Sequence, residues 1–274
     1  MYPLIDPDGM AIPAWHVMFL LATVIAWMIL HHINGKPGMG LNAGLLNRTW
    51  VICYIAGYFG ARTLDLVVAG PGKGTPFWQA VFIPGGMVFY GGLLGGVLAG
   101  LVVFYRAGIS PARGLDLGVP PLLAGLVPGR IGCFLNGDDY GLPVPAGETW
   151  WTVAFPWDPE SLPRYPVQLW EAAFALVLVA GLLLWFVPLR RRLCSGAVGL
   201  VGLILYSVWR FFAEFYRGDP RGQLVPGISG LSTSQAISLL LGLAAMVALG
   251  TLWWRSRRMA PDLSGSPDGA DSPT

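Results

Sequence analysis

Apolar residues in this sequence gather into seven runs, and polar or turn-forming residues separate one run from the next. Each run is close to the roughly 20 residues that an α-helix needs to cross a lipid bilayer. The runs are Pro13–Ile33, Thr49–Ala69, Gly85–Tyr105, Leu115–Leu135, Val167–Pro188, Gly196–Tyr216 and Thr233–Trp254. The pattern therefore predicts seven transmembrane helices.

The fourth run is the weakest of the seven, because Pro120, Pro121 and Pro128 interrupt it. A proline lacks the backbone N–H of a helix, and lipid offers no substitute hydrogen-bond partner. Such a helix is tolerated only where protein surrounds it or where it lines a cavity. We expect the fourth helix to occupy a position of that kind.

The composition agrees with a membrane protein. Of the 274 residues, 54% are hydrophobic and 12% are charged, and the mean hydropathy is +0.59. A soluble domain carries about 25% charged residues. A large apolar core in a soluble protein would not explain runs of membrane-spanning length. We predict an all-α integral membrane protein, surrounded by membrane lipids and without a nucleic-acid partner.

Basic residues predict the orientation, because cytoplasmic loops of membrane proteins are richer in Lys and Arg than external loops. With seven spans, one face carries Lys36, Arg48, Arg106, Arg113, Arg190, Arg191, Arg192, Arg255, Arg257 and Arg258. The other face carries only Lys73, Arg164, Arg217 and Arg221. The N-terminus is therefore predicted outside and the C-terminus in the cytoplasm.

The sequence predicts one seven-span membrane domain, residues 1–258, and a disordered cytoplasmic tail, residues 259–274, which is rich in Ser, Pro, Gly and Asp. The loop 137–165 lies outside in this orientation, and its Pro, Trp and Gly content favours a small ordered extracytoplasmic cap. Residues 1–12 contain no Lys or Arg, so they lack the positive start of a signal peptide.

Several charged residues fall inside the predicted spans, where a charge costs about 3 kcal/mol and function is the first hypothesis. They are Arg62, Asp65, Asp116, Arg130, Glu171, Arg210 and Glu214. Arg210 and Glu214 share a helix face, so they form either a self-neutralising pair or a clamp in which Glu214 holds Arg210 for an anion. For Arg62 and Asp65 the spacing favours a structural pair. Asp116 is better explained as a helix cap or interface acid than as a catalyst.

Arg130 differs from the other buried arginines, since no acidic residue lies within one helical turn of it. Its planar guanidinium group suits a phosphate, with which it can form two parallel hydrogen bonds. A lipid phosphate lies at the depth predicted for Arg130. We therefore expect an unpaired arginine that binds this anion; the alternative is an arginine that only extends to the interface.

Glycines and cysteines in the spans have simpler interpretations. The glycine run from Gly85 to Gly96 usually lets helices pack closely, and the alternative is room for a lipid chain beside Tyr90. Cys53, Cys133 and Cys194 are spaced too far apart for a zinc or disulfide framework, so we predict no metal site. Each cysteine is expected to act as a small apolar side chain.

Short motifs follow one another in a definite order along the chain. One is Gly129-Arg130-Ile131-Gly132, followed by Phe134, Asn136-Gly137 and Gly141. The others are Gly60-Ala61-Arg62, Gly85-Gly86-Met87 through Gly91-Gly92, Asp116, Tyr165–Glu171, Arg210–Arg217 and Leu231–Gln235. Over nearly the whole chain, from Trp15 to Trp254, this order resembles that of the prolipoprotein diacylglyceryl transferases.

The resemblance implies transfer of the diacylglyceryl group of phosphatidylglycerol to the lipobox cysteine of preprolipoproteins, with release of glycerol phosphate. It implies a multi-pass protein of the bacterial inner membrane, with phosphatidylglycerol and preprolipoprotein signal peptides as partners and no cofactor. Arg130 would bind the lipid phosphate, and Arg210 would stabilise charge on the leaving phosphate. The residues that would shape or support the site are Asn136, Gly137, Gly141, Arg62, Glu171, Glu214, Gln168 and Arg217.

The sequence departs from the family pattern at several site positions. Tyr90 stands where the family has the histidine regarded as a candidate base, and an ordinary tyrosine pKa of about 10 makes it a poor base near neutral pH. A substrate thiol, at about 8.5, could instead ionise beside Arg130 and Arg210. His16 and Cys133 would line the site in place of a tyrosine and an asparagine. Asp138 replaces a glutamate, and Tyr165 a histidine.

Three hypotheses remain open at this point. The first is an active transferase in which Tyr90 orients the substrate while Arg130 and Arg210 activate the thiol. The second is a paralogue that uses the same lipid pocket for another acceptor. The third is a non-catalytic lipid-binding or transport protein, in which both arginines are replaceable.

Overall fold

The computed structural model describes residues 4–5, 12–72, 74–83, 85–145, 151–156, 158, 161–189, 193–219 and 230–258. Two short strands, β1 (Leu4–Ile5) and β2 (Ile12–Pro13), pair antiparallel ahead of the helices. The helices are α1 (Ala14–Asn34), α2 (Ala43–Ala69), α3 (Phe77–Ala80), α4 (Phe89–Arg106), α5 (Pro111–Asn136), α6 (Val167–Gly181), α7 (Val187–Leu189), α8 (Ala197–Ala213) and α9 (Thr233–Arg258). A π-helical segment, Leu182–Phe186, joins α6 to α7, and a 3₁₀ turn, Glu214–Tyr216, follows α8.

Seven of these helical segments are long and apolar enough to cross a membrane. The predicted all-α fold with seven spans is therefore confirmed. Some helices begin elsewhere than predicted because polar side chains set their starts. Asn42 accepts hydrogen bonds from Gly44 N and Leu45 N, so α2 begins ahead of Thr49. Ser110 does the same for Arg113 N at the start of α5.

Helices α2 and α4 approach each other through glycines. A Cβ atom added to Gly91 would collide with the carbonyl oxygen of Gly60, and one added to Gly60 would collide with that of Gly91. Gly95 packs in the same way against the carbonyl of Ala56. The glycine run therefore serves the close packing expected of it.

Helix α5 has the inner position expected of the proline-interrupted span. It packs against α1, α6 and α8, and Pro120, Pro121 and Pro128 are all buried. Apolar residues of these helices form the core, among them Ile33, Leu117, Leu123, Leu178, Leu182 and Val198. Protein contacts thus replace lipid around the segment where helical hydrogen bonding is interrupted.

Asp116 connects α5 to the beginning of α8. Its carboxylate is fully buried and accepts hydrogen bonds from Gly196 N (2.8 Å) and Gly199 N (3.0 Å). Backbone N–H groups at a helix start lack partners within the helix, and a carboxylate there also interacts favourably with the helix dipole. The expectation of a cap or interface acid is confirmed, with the cap made across two helices.

In the loop between α5 and α6, residues that the structure describes are joined by backbone and side-chain contacts. Val153 and Arg164 exchange backbone hydrogen bonds, and the Arg164 side chain pairs with Asp158 at 2.8 Å. Phe155, which belongs to this loop, is buried. We call this end of the helical bundle the cap end. Its location outside the cell stays a prediction from the basic residues, and the proposed tail, 259–274, lies outside the described residues.

Candidate active site

Three arginines meet at the cap end of the bundle. Arg130 comes from the last two turns of α5, Arg210 from the last turn of α8, and Arg217 from the chain just beyond α8. We call them, with the carboxylates of Asp139, Glu171, Glu214 and Asp219, the arginine cluster. Three arginines predicted to belong to the site, Arg130, Arg210 and Arg217, are therefore brought together.

Glu171 lies at the centre of the arginine cluster. Its fully buried carboxylate is 3.0 Å from Nε of Arg130 and 3.8 Å from both Nε of Arg210 and Nη1 of Arg217. The Tyr206 hydroxyl donates a hydrogen bond to it at 3.2 Å. A buried carboxylate is costly unless cations and donors surround it. Glu171 is therefore placed to hold three guanidinium groups in one region.

Glu214 is a second carboxylate that holds Arg210. Nη1 of Arg210 is 2.6 Å from Oε2 of Glu214, as the four-residue spacing predicted. The other oxygen, Oε1, accepts a hydrogen bond from the Ser232 hydroxyl at 2.8 Å. Ser232 also caps α9, because its hydroxyl accepts from Gln235 N while Gln235 accepts from Ser232 N. The start of α9 thereby fixes the Arg210–Glu214 pair.

Arg130 is not the unpaired arginine that its sequence neighbourhood indicated. Nη1 lies 2.5 Å from Oδ2 of Asp139, and Nε faces Glu171. That expectation was wrong because neither acid lies on the helix of Arg130: Asp139 follows the end of α5, and Glu171 belongs to α6. Any anion that binds Arg130 must therefore either share it with these carboxylates or displace one of them.

Asp139 and Asp219 both contact Arg217 but differ in their ionisation. Burial opposes the ionisation of Asp139, but Arg217 and Arg130 outweigh it and hold the pKa of that carboxyl below its usual range. Asp219 is paired with Arg217 at 2.8 Å, yet burial raises its pKa. Asp139 is thus the more firmly ionised of the two.

The loop that carries Asp139 is shaped by predicted site residues. Gly137 ends α5 with a φ of 82°, a left-handed conformation that favours glycine. Buried Gln168 donates a hydrogen bond from Nε2 to the carbonyl of Asp138 at 2.7 Å. Gly141 packs so closely on the Tyr165 carbonyl that no Cβ would fit. Asn136 is exposed and donates to the Asp138 carboxylate at 3.0 Å.

Tyr90 is half-buried at the start of α4 and faces α9. Its hydroxyl and that of Ser234 are 3.1 Å apart and share a hydrogen bond. Ser234 lies two residues beyond Ser232, whose hydroxyl binds Glu214. The structure therefore connects Tyr90 to the arginine cluster through the start of α9, without a direct contact to an arginine among the described residues.

Two predicted site residues lie apart from the cluster. Arg62 forms the structural pair expected of it, with Nη1 2.7 Å from Asp65, and it also donates to the carbonyls of Ala80 and Gly86. His16 is exposed, with its ring edge-on to Trp15. Within the part of the chain that the structure describes, no hydrogen bond or ion pair joins either side chain to the three clustered arginines.

Cys133 lies beside the acidic turn. Its Sγ and carboxylate oxygens of Asp138 and Asp139 are within 4.8 Å of one another, a spacing that could hold a metal ion. Asp139, however, is already engaged by Arg130 and Arg217. Two guanidinium groups on one carboxylate disfavour a further cation there, so we assign no metal to this group.

Sequence reasoning did not place Asp139, Tyr206 or Asp219 in the site. The position of Tyr206 was predictable, because it lies four residues before Arg210 and hence on the same helix face. Asp139 is one of five acidic residues in the loop 137–165, and nothing local indicated which of them would turn towards Arg130. Asp219, two residues after Arg217, had no signal beyond this short separation.

Comparisons with known proteins place the sequence in a family. The family model described as prolipoprotein diacylglyceryl transferase matches residues 4–251. Among similar proteins, one from an Azoarcus species is 30% identical over 256 residues, covering 89% of this chain and 95% of its own. One from Bordetella avium is 31% identical, and the match covers 94% of this chain and 98% of the relative. One from Clostridium tetani is 31% identical, and the match covers 86% of this chain and 91% of the relative.

Each of these three relatives bears the name phosphatidylglycerol–prolipoprotein diacylglyceryl transferase. The match of the family model extends from β1 into α9, and so includes every residue of the arginine cluster. The similarity covers almost the full length of the chain and of each relative. The chain therefore belongs to the prolipoprotein diacylglyceryl transferase family.

Proposed function

We propose that this protein transfers the diacylglyceryl group of phosphatidylglycerol to the lipobox cysteine thiol of preprolipoproteins and releases glycerol phosphate. Its relatives carry that activity in their names. The observation that carries the proposal is the convergence of Arg130, Arg210 and Arg217 around buried Glu171. Cations held in place before the reaction are suited to an anionic lipid and to an anionic leaving group.

In the proposed reaction, the cysteine sulfur attacks the glycerol carbon of the lipid that bears the phosphate. A C–S bond forms, the C–O bond to phosphate breaks, and its electron pair stays on the phosphate oxygen. Arg130 binds the lipid phosphate, and Arg210 stabilises the charge that develops as glycerol phosphate leaves. The thiol proton passes to water, since thiols ionise at about pH 8.5 and a nearby arginine favours the thiolate.

Tyr90 is proposed to orient the substrate rather than to remove the thiol proton. Its hydroxyl shares a hydrogen bond with that of Ser234, which holds it at the start of α4 and facing α9. Asn136, Gly137 and Gly141 would shape the lipid pocket, with Gln168 fixing the loop between them. His16 and Cys133 remain proposed contacts of the substrate.

The proposed location is the inner membrane of a bacterium, with the cap end facing outward. Lys36 and Arg106 are then cytoplasmic, in agreement with the excess of basic residues on that side. The arginine cluster then faces the outer leaflet. Signal peptides that have crossed the membrane would meet the lipid there.

The proposal is tested by complementation of a bacterial strain depleted of its own diacylglyceryl transferase. The wild-type chain should restore growth, and the N-terminus of a reporter lipoprotein should gain the mass of a diacylglyceryl group. Arg130→Ala and Arg210→Ala, at matched protein levels, should do neither. If wild type fails to rescue or rescues without this mass gain, the transferase proposal is wrong. Rescue by both arginine variants would also contradict it.

A further inference from the structure

The carboxylate of Asp139 lies between two guanidinium groups. Its Oδ2 is 2.5 Å from Nη1 of Arg130, and its Oδ1 contacts Nη2 of Arg217. One anion thus offers each of its oxygens to a different arginine. The two non-bridging oxygens of a phosphodiester can do the same. Asp139 therefore occupies a position that also suits a lipid phosphate.

The arginine cluster has no excess positive charge with which to bind one more anion. Within the described residues, three arginines face four carboxylates, those of Asp139, Glu171, Glu214 and Asp219. A phosphodiester brings one negative charge, and like charges repel strongly where water is scarce. Exchange of the phosphodiester for the Asp139 carboxylate leaves the total charge unchanged. Exchange is therefore favoured over addition.

Asp139 is the carboxylate that can leave most easily. Its side chain is 29% exposed, compared with 0% for Glu171, 4% for Glu214 and 15% for Asp219. It stands on a turn after α5 with a φ of 57°, whereas Glu171 is fixed within α6. A carboxylate that moves from this turn into water regains its hydration, which offsets the loss of its arginine contacts.

We infer that Asp139 is an internal substitute for the lipid phosphate, held by Arg130 and Arg217 until phosphatidylglycerol displaces it. The inference rests on the proposed function, because it takes phosphatidylglycerol as the ligand. The lipid binds only those protein molecules in which Asp139 has left Arg130 and Arg217. Asp139 therefore lowers the apparent affinity of the protein for the lipid. Asp139 thereby determines how tightly the site holds its lipid.

The test is calorimetric titration of the full-length protein in a nonionic detergent with dioctanoyl phosphatidylglycerol. Asp139→Asn keeps the side-chain size and removes the charge, so the Kd should fall by about tenfold. Asp219→Asn removes the same charge from Arg217 alone, and its Kd should change by less than about threefold. Dioctanoylglycerol lacks the phosphate and should bind wild type and Asp139→Asn equally.

Unchanged or weaker lipid binding by Asp139→Asn would overturn the inference, as would an equal gain from Asp219→Asn. Either result leaves the transferase proposal intact, provided that wild type binds the lipid and transfers it. A wild-type protein that binds no phosphatidylglycerol contradicts both. If Asp139→Asn folds poorly, Asp139→Ser serves in its place. For either variant, the lipid should raise the thermal unfolding midpoint more than it does for wild type.

Discussion

Nε of Arg130 lies 3.0 Å from Oε2 of Glu171, and the glutamate side chain has no exposed surface. The contact joins α5 to α6 at the cap end of the bundle. It is an ion pair without the alignment of a hydrogen bond, since neither atom has a hydrogen-bond partner among the described residues. Glu171 thus acts on Arg130 through charge and leaves the arginine's terminal nitrogens to other anions.

Glu171→Gln should destabilise the protein and weaken catalysis. Removal of one partner from a buried ion pair costs about 3 kcal/mol or more, and here three arginines lose a shared counter-charge. The free energy of unfolding should fall by about that amount, as measured by denaturant titration in detergent. Transfer activity per folded protein should fall by at least about tenfold. Unchanged stability and activity would contradict a central role for Glu171.

Tyr90→Phe should retain part of the transfer activity. The substitution removes the hydroxyl that meets Ser234 but keeps the aromatic ring at the start of α4. Ser234→Ala removes the other half of that hydrogen bond, and its kcat/KM should fall to a similar extent, within about tenfold of wild type. Complete loss in Tyr90→Phe alone, measured with purified protein, would instead assign the hydroxyl a direct chemical role.

Asp116→Ala should affect stability but not the chemistry at the cap end. Its carboxylate holds Gly196 N and Gly199 N at the start of α8, and loss of a helix cap costs about 1 kcal/mol, with a further cost for buried N–H groups. The thermal unfolding midpoint should fall, while KM for the lipid, measured on folded protein, stays the same. A changed KM with an unchanged midpoint would contradict this separation.

Asp139 should contribute to the acid sensitivity of the folded protein. Arg217 and Arg130 hold its pKa below the ordinary value of about 3.9, so its folded form binds a proton less readily than its unfolded form. The contribution of Asp139 to the stability of the fold is complete at a pH above the unfolded-state pKa. It is lost as the pH falls through the pKa of the folded state. As the pH is lowered from 5, wild type should therefore lose more stability than Asp139→Asn. Parallel curves of unfolding midpoint against pH would contradict this.

The helices were predictable because each apolar run is long enough to span a bilayer and because the relevant signals are local. The Arg210–Glu214 pair follows from the four-residue spacing alone, and the structure confirms it. The ion pair between Arg62 and Asp65 follows in the same way from their spacing of three residues. Helical geometry fixes which of these side chains meet, so no knowledge of the tertiary fold was needed.

The surroundings of Arg130 could not be predicted in that way. Its two acidic partners, Asp139 and Glu171, reach it only after the loop beyond α5 folds back and α6 packs beside α5. No short sequence pattern encodes these long-range approaches. The link from Tyr90 to Ser234 is of the same kind, since it joins residues from α4 and α9. Tertiary packing therefore decides which charges surround Arg130.

Transfer by the purified protein is the most direct test of the proposed function. The protein would be incubated with phosphatidylglycerol and a lipobox peptide, and both the peptide mass and the released glycerol phosphate would be measured. Wild type should add a diacylglyceryl group and release one glycerol phosphate per modified thiol, whereas Arg130→Ala and Arg210→Ala should do neither. A folded wild-type protein that binds phosphatidylglycerol but leaves the peptide unmodified would contradict the account.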